Sequence, residues 1–475
     1  MRPLLPLLAL PLLACHSSSG AAPADAGPEG DAPPPWLHDA GLTTRAPVKR
    51  PLRDLCGFAS NPGDLPLDAA GDSTAKRAGY FNAASDLGLR MIRRDFAWNE
   101  IEPVAGQYQW ATYDALVAQA AAAGVQILAT LHDPPTWAAA DPDAAPTLGG
   151  ESPPRNPADY AAFAGAVAAR YRGKLAGLEI WNEPSNGFRF WQPTLGGDPA
   201  AYGALLSAAH DAIHAADPQA RVLFGGCTFD PQLIPGAVAF QSGAFAATPG
   251  LSGKFEAMAL HPYDLYPPST APEYGSQFET PLPAKIEEEL WLLGQNGAAD
   301  APVWLTEIGW PVTADVDESA QARDLVRATI LAAASGADAV FWYTLRDGPN
   351  PDASPPEDAF GLLHNDGQFQ GGDAGATEST PKRSYLALKA LLRTVGDRWP
   401  DAASPSVPGL PTDGHAVHFA GAGSGAVIVL WTEGSTGAVT LPGVQGSVVD
   451  VLGASKGALG ASVAVGPDPV YVVTP

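Results

Sequence analysis

Eight short β-rich runs, separated by alanine-rich stretches, are the feature that most restricts how this chain can fold. Neighbouring runs lie roughly 35 to 50 residues apart, which leaves room for a helix and a loop in each unit. This alternation predicts an α/β fold in which a parallel sheet closes into a (β/α)8 TIM barrel. The predicted strands are 54–59, 91–96, 126–131, 177–182, 222–227, 256–260, 303–307 and 339–343.

Helices are predicted between these strands wherever apolar residues recur at helical spacing. The predicted helices are 113–123, 160–171, 202–215, 286–293 and 320–335, followed by a closing helix at 385–393. Pro157 and Pro199 stand near helix starts, where proline is favoured. A doubly wound sheet is the alternative, but it would need a glycine-rich phosphate turn after the first strand, where residues 56–60 read CGFAS.

Beyond the closing helix the composition changes to Val, Gly, Thr and Ser, with short apolar runs at 426–431 and 448–452. No helical stretch separates these runs, so they predict antiparallel strands. We expect a small all-β, sandwich-like domain that braces the barrel, with sugar binding as its alternative role. The predicted divisions are an export signal at 1–15, a tether at 16–50, the barrel at 51–398 and the β-domain at 399–475.

The amino terminus has the features of an export signal: Arg2 precedes an apolar run at 4–14 that is too short to span a bilayer. Residues 12–15 read LLAC, which resembles the cleavage box of bacterial lipoproteins, in which the cysteine becomes lipidated. An ordinary signal peptide with a chance cysteine is the alternative. Because residues 16–50 are poor in large apolar groups, we expect them to form a disordered tether. The cleavage box predicts an exported lipoprotein that is anchored to a membrane through a lipidated Cys15. We expect it on the outer membrane, its periplasmic face or the cell surface.

The charge balance restricts the partners. A formal net charge of −24 and a pI near 4.6 oppose nucleic-acid binding and disfavour strongly anionic polysaccharides, although a local Arg or Lys patch could override the latter. Cys56 and Cys227 fall on predicted strands at opposite sides of the barrel, so we expect two buried thiols and no disulfide. Neither cysteine has metal-ligand spacing, and we expect no metal, no cofactor and no obligate protein partner.

Two glutamates carry the chemistry. Glu183 stands in the motif LEIWNEP at 178–184, and Glu307 stands in VWLTEIGWP at 303–311. The carboxyl ends of barrel strands share one face, so both side chains should reach one pocket. Glycoside hydrolysis needs one protonated carboxyl at the leaving oxygen and a second, ionised carboxylate.

These two motifs resemble clan A of the glycoside hydrolases, over roughly residues 51 to 395. The resemblance implies a (β/α)8 barrel that retains anomeric configuration, with Glu183 as acid/base, Glu307 as nucleophile, and Asn182 bonded to the sugar 2-hydroxyl. By the same resemblance Arg93 keeps the nucleophile ionised, with its neighbour Arg94 as a competing register. A surface or ion-paired role is the alternative for Glu307.

Further residues match the clan pattern. Tyr263 resembles a tyrosine that hydrogen-bonds the nucleophile, and Trp342 resembles the apolar floor beneath the sugar. His261 is expected near a substrate hydroxyl, or else as a satisfied core histidine. Candidate sugar contacts near other strand ends, each of which could instead belong to the core, are His132, Asp133, Trp137, Trp191 and Trp310.

The expected charge state has Glu307 ionised beside Arg93, holding a proton on Glu183 by repulsion. The carboxyl groups should lie about 5 to 5.5 Å apart.

Residues 93–103 and 360–363 are similar to family 39-like and family 5-like enzymes, so the substrate could be a β-xyloside, a β-glucan, a mannan or a matrix exopolysaccharide. A glycan-binding lipoprotein without catalysis is the alternative class. A metal-dependent hydrolase is disfavoured because no pair of histidines at helical or strand spacing is expected to support a metal.

Overall fold

The computed structural model describes most of the chain that follows the predicted signal and tether. The described residues are 45–47, 49–60, 71–142, 151–194, 197–229, 236–263, 268–274, 280–352, 356–365, 380–401, 407–421 and 425–475. The prediction for Cys15 lies outside them. No helix within these ranges is long and apolar enough to cross a membrane.

Eight parallel strands form a closed barrel in sequential order, with β1 paired to both β2 and β8. This confirms the predicted (β/α)8 fold. The strands are β1 (Cys56–Ala59), β2 (Met91–Ala97), β3 (Gln126–His132), β4 (Leu175–Ile180), β5 (Val222–Thr228), β6 (Ala257–His261), β7 (Val303–Ile308) and β8 (Ala339–Tyr343).

Helices pack around the barrel. They are α1 (Gly71–Leu87), α2 (Trp98–Ile101), α3 (Ala111–Ala122), α4 (Pro157–Arg170), α5 (Pro199–Ala216), α6 (Ala237–Ala247), α7 (Leu282–Gln295), α8 (Glu318–Ala334) and α9 (Arg383–Thr394). The two prolines mark helix starts as predicted, because Asn156 and Asp198 cap α4 and α5 with their side chains. Helices α1 and α6 were not predicted, because most of their residues are small and their apolar periodicity is weak.

Cys56 and Cys227 are buried free thiols, as expected.

The end of the predicted tether is misplaced. Arg45 lies 3.4 Å from Asp338, just before β8, and Arg50 donates to the carbonyl oxygen of the same residue. Arg45 and Arg50 therefore contact the amino-terminal face of the barrel instead of extending into solvent.

The carboxy-terminal strands form two antiparallel sheets, which confirms the all-β domain. Six strands pair in the order β14-β13-β16-β11-β10-β9, and β12 pairs with β15. Apolar residues of both sheets, including Leu430, Val439 and Val465, form one core between them. The strands are β9 (Trp399–Pro400), β10 (Gly414–Ala420), β11 (Val427–Thr432), β12 (Gly437–Val439), β13 (Ser447–Val449), β14 (Ser455–Ala458), β15 (Val463–Val465) and β16 (Val470–Val473).

The β-domain is joined to the barrel by buried polar contacts. Trp431 on β11 donates its indole N–H to Glu273, in the loop after β6, at 2.6 Å. Arg327 on α8 is 1% exposed; it donates to the carbonyl oxygens of Thr432 and Pro467 and lies 3.5 Å from Glu273. The β-domain thus holds a loop that leaves the carboxyl end of β6, which supports the bracing role.

We predict that Trp431→Phe lowers the free energy of unfolding by about 1 to 3 kcal/mol, because it leaves a buried oxygen of Glu273 without its donor. Urea unfolding followed by circular dichroism measures this. Tyr471→Phe is the matched control, because the Tyr471 hydroxyl is buried without a hydrogen-bond partner among the described residues. Equal losses in the two variants would contradict the bracing contact.

Candidate active site

Arg93 lies at the centre of the site. From β2 it directs three donors to three residues: Nε to Glu179 at 2.5 Å, one terminal nitrogen to Glu307 at 2.6 Å and the other to Asn182 at 2.7 Å. Its side chain is only 3% exposed. Arg94, the competing register, contacts Asp95 instead. The arginine beside Glu307 is therefore Arg93.

Glu179 is the buried counter-ion of Arg93 and was missed by the sequence analysis. Its carboxylate also accepts from the Thr130 and Thr306 hydroxyls, both at 2.9 Å, and from the Gly226 N–H at 3.0 Å. Burial acts to raise the pKa of Glu179, but Arg93, His261 and the Thr130 hydroxyl outweigh it and lower the pKa. The sequence does contain an indication of this ion pair, because Glu179 stands between the apolar residues Leu178 and Ile180. A charged side chain inside a barrel strand needs a partner inside the barrel.

His261, at the end of β6, lies between the two glutamates. Its Nδ1 is 2.9 Å from Glu183 Oε1 and 3.8 Å from Glu307 Oε2, and its Nε2 is 3.1 Å from Thr306 Oγ1. The Thr306 hydroxyl donates its one hydrogen to Glu179, so it accepts from Nε2. Nδ1 faces a carboxylate, so both ring nitrogens carry a proton when Glu183 is ionised.

The pKa directions agree with a charged imidazole. Burial acts to lower the pKa of His261, but the charges of Glu307 and Glu183 outweigh it and raise the pKa. The ring needs the space that a glycine leaves, because a Cβ on Gly226 would lie 2.3 Å from His261 Nε2. Both ring nitrogens are occupied by protein atoms, so contact with a substrate hydroxyl would require one of these bonds to open.

Glu183 is positioned by an unusual backbone. The predicted strand runs to residue 182, but β4 ends at Ile180, and Trp181 and Glu183 have φ of 73° and 44°. Such values are uncommon outside glycine and store strain at functional sites. Asn186 Nδ2 donates to Glu183 Oε2 at 3.0 Å, while His261 holds the other oxygen. One oxygen of Glu183 lies within 4.8 Å of one oxygen of Glu307.

The pKa directions of the two glutamates run opposite to the expected charge state in the free protein. Burial raises the pKa of Glu307 in spite of His261 and Arg93. Burial also acts to raise the pKa of Glu183, but the hydrogen bond from His261 outweighs it and lowers the pKa. The difference comes from the His261 imidazole, which lies closer to Glu183 than to Glu307 and which the expectation based on Arg93 alone does not include.

A second cluster surrounds His132 at the end of β3. Its Nδ1 lies 2.9 Å from Glu151, and its Nε2 lies 3.2 Å from Asp95. Burial acts to lower the pKa of His132, but Asp133, Glu151 and Asp95 raise it well above its usual value. Burial and Asp133 raise the pKa of Glu151 to about 8, so the cluster retains protons into the alkaline range. Its most exposed side chain is Asp133, at 33%.

Aromatic residues line the cleft beside the glutamates. Trp342 on β8 stacks on Trp310 with ring centroids 5.8 Å apart. Trp310 and Tyr263 line one cleft between the loops that follow β6 and β7. Trp137 packs against Trp98 and donates its indole N–H to the carbonyl oxygen of Glu102. Trp191 is 2% exposed and packs between Trp181 and Tyr202. Because Trp181 and Tyr202 are themselves fully buried, Trp191 is a core residue and not a sugar platform.

Three groups of side chains among the described residues bring possible metal ligands together. Two lie at this site, around His132 and around His261, where the ligand atoms already contact one another and Arg93 adds positive charge. The third is His210, His214 and Glu256 on the opposite face of the barrel. The expectation that no histidine pair stands at helical spacing is wrong, because His210 and His214 are four residues apart on α5.

A parallel eight-stranded barrel with two glutamates at the carboxyl ends of β4 and β7 defines the class of glycoside hydrolases that work with paired carboxylates. The sequence model described as cellulase, glycosyl hydrolase family 5, matches residues 59–346. The chain belongs to this family of clan A and is a glycoside hydrolase. No curated protein sequence matches it.

Solved structures share the fold over most of the chain. A family 39 glycoside hydrolase from the gut symbiont Bacteroides cellulosilyticus WH2 is 21% identical, with TM-score 0.67, covering 90% of this chain and 81% of that one. A family 39 β-xylosidase from Caulobacter crescentus is 18% identical, with TM-score 0.60 and coverage of 91% and 98%. The catalytic domain of the family 30 xylanase C from Talaromyces cellulolyticus is 16% identical, with TM-score 0.59 and coverage of 90% and 98%.

We predict that His132→Gln destabilises the protein more at pH 6 than at pH 9. The pKa of His132 in the folded state is raised above its unfolded value of about 6.5. The charged imidazole therefore makes its full contribution to the free energy of unfolding below pH 6.5, and this contribution is lost as the pH rises through the folded-state pKa. Urea unfolding at several pH values should show the gap to wild type shrinking toward alkaline pH. The buried variant Leu131→Val, which titrates nothing, should show a constant gap, and a His132 gap that widens with pH would refute the charge assignment.

Proposed function

We propose that this protein hydrolyses β-glycosidic bonds with retention of configuration, using Glu183 as acid/base and Glu307 as nucleophile. The observation that carries the proposal is the approach of a Glu183 oxygen to within 4.8 Å of a Glu307 oxygen. Retaining enzymes hold their carboxyl groups about 5 to 5.5 Å apart, whereas inverting enzymes leave about 6.5 to 9.5 Å for a water molecule. The short separation favours direct attack by one carboxylate.

Glu307 is the better nucleophile of the two because a permanent cation holds it. Arg93 donates to one of its oxygens and leaves the other directed toward His261. In the first step this carboxylate bonds to the anomeric carbon while Glu183 gives a proton to the departing oxygen. In the second step Glu183 takes a proton from water, whose oxygen displaces Glu307 from the sugar.

The proton that Glu183 must donate is supplied by His261. In the free protein this proton lies on Nδ1, 2.9 Å from Glu183 Oε1. When a substrate contacts Glu307 and excludes water, the ion pair gives way and the proton passes to Glu183, which becomes the acid. The bond from Asn186 keeps the carboxyl oriented during the transfer.

Sugar contacts come from the residues around the pair. Asn182, held by Arg93, is proposed to bind the 2-hydroxyl, and Tyr263 to contact the nucleophile. Trp342 forms the floor, and its Nε1 is buried without a partner within the described part of the chain, which leaves one donor for a sugar hydroxyl. Trp310 extends this surface, and Asp133 beside His132 is the polar group at the edge.

We propose a neutral, β-linked oligo- or polysaccharide as the substrate. The net charge of −24 opposes anionic polymers, and two of the similar structures are described as a β-xylosidase and a xylanase, which puts β-xylosides first. We also propose that lipidation of Cys15 anchors the enzyme outside the cytoplasm, on a polar segment that follows the cysteine.

We predict that Glu307→Ala and Glu183→Ala each lower kcat on aryl β-glycosides by at least about a thousandfold. Azide should rescue them differently. It occupies the nucleophile's place in Glu307→Ala and gives an α-glycosyl azide, whereas in Glu183→Ala it attacks the glycosyl-enzyme and gives a β-glycosyl azide. Proton NMR of the products distinguishes the two. The control is Glu287→Gln on α7, which should hydrolyse at the wild-type rate.

Two outcomes would overturn the assignment. Wild-type turnover by Glu307→Ala would exclude it as nucleophile, and an α-configured first product from wild-type protein would show inversion. A screen of reducing-sugar release from xylans, glucans, mannans and bacterial exopolysaccharides, with Glu183→Gln as blank, identifies the substrate. Oligosaccharide binding without any release would instead indicate a glycan-binding protein.

We predict that Cys15→Ala abolishes incorporation of labelled palmitate and moves the protein from the membrane fraction to the soluble fraction of a Gram-negative host. Cys56→Ala, which removes a buried thiol of β1, is the control and should keep the label. Labelling of Cys15→Ala at the wild-type level would exclude the anchor.

A further inference from the structure

We propose that His210, His214 and Glu256 bind a Zn²⁺ ion on the barrel face opposite the catalytic glutamates. His210 and His214 lie four residues apart on α5, so their imidazoles emerge from one side of the helix, with ring centroids 4.3 Å apart. Glu256 immediately precedes β6, whose other end carries His261. This site is independent of the proposed hydrolytic mechanism.

The distances from the Glu256 carboxylate to the two imidazole nitrogens fit a tetrahedral metal site. Glu256 Oε1 lies 3.2 Å from His214 Nε2 and 3.6 Å from His210 Nε2. Ligands at Zn–N and Zn–O distances of about 2.0 to 2.1 Å are about 3.4 Å apart along a tetrahedron edge, whereas an octahedral site would bring them to about 3.0 Å. Three protein ligands of this kind leave one position for water.

His214 supplies the second indication. Its Nε2 is buried and has no hydrogen-bond partner among the described residues, although Glu256 Oε1 is only 3.2 Å away. The contact therefore has hydrogen-bond length without hydrogen-bond direction. Two nearby imidazoles would also repel if both were charged. Two neutral imidazoles avoid this repulsion, and a cation between them and Glu256 would accept the His214 Nε2 lone pair that no hydrogen bond among the described residues uses.

The surrounding groups orient two of the three ligands. Asp211 Oδ1 lies 3.1 Å from His210 Nδ1, so the proton on Nδ1 leaves Nε2 free as a metal ligand. Lys254 holds the same carboxylate oxygen at 2.6 Å. Glu256 Oε2 accepts from the Val222 N–H at 2.7 Å, which leaves Oε1 directed at the histidines. A bound ion would thus join α5 to the starts of β5 and β6.

The test is a calorimetric titration of Zn²⁺ into tag-free, chelator-stripped protein. We expect one equivalent to bind and the melting temperature of the wild type to rise, because the ion binds the folded state. His214→Gln should raise the Kd for Zn²⁺ at least about a hundredfold by removing a ligand. Asp211→Ala should raise it about tenfold to a hundredfold by removing the partner of His210. His418→Gln on β10 is the matched control and should bind like the wild type.

Substitution with Co²⁺ gives an independent readout, because tetrahedral Co²⁺ absorbs visible light far more strongly than octahedral Co²⁺. Circular dichroism confirms that each variant is folded, and Glu256→Gln is a second ligand variant that keeps an oxygen for the Val222 N–H. Wild-type protein that binds no Zn²⁺ would overturn the proposal. Equal affinity in the wild type, His214→Gln and Glu256→Gln would also overturn it, since binding would then be non-specific.

Discussion

The Arg93 guanidinium is the group on which the rest of the active site depends. A buried cation is tolerated only when its donors meet acceptors, and Arg93 meets a different residue with each of three nitrogens. Glu179 supplies its buried counter-charge, so the arginine can also hold Glu307 and Asn182. One side chain thereby sets the positions of both a candidate nucleophile and a candidate sugar ligand across three strands of the barrel.

His261 connects this network to the second glutamate. It bonds Glu183 at one nitrogen and Thr306 at the other, and Thr306 in turn bonds Glu179. The two glutamates therefore belong to one continuous set of hydrogen bonds in which charge and protons are shared. The glutamates and aromatic rings lie at the carboxyl ends of the strands, whereas the His210 cluster lies at the opposite ends.

The prediction of the fold succeeded because the barrel depends on local patterns. Each parallel strand is an apolar run, and each helix such as α4 or α5 has its own periodicity and cap. Such patterns are weak in α1 and α6, which were not predicted, and the backbone departs from strand geometry at Trp181 and Glu183, where the end of β4 was misplaced. A strand can be recognised from its residues, but its last residue depends on what the loop must contact.

The sequence by itself determined that this chain forms a barrel with two glutamates at strand ends, because alternation and motif are properties of neighbouring residues. Only the tertiary structure decided the charges. Arg93, Glu179 and His261 lie on three different strands, and the pKa of each glutamate depends on which of their atoms come within hydrogen-bond distance. The pairing of His210 and His214 with Glu256 was hidden for the same reason, since about forty residues separate the helix from the carboxylate that completes the cluster.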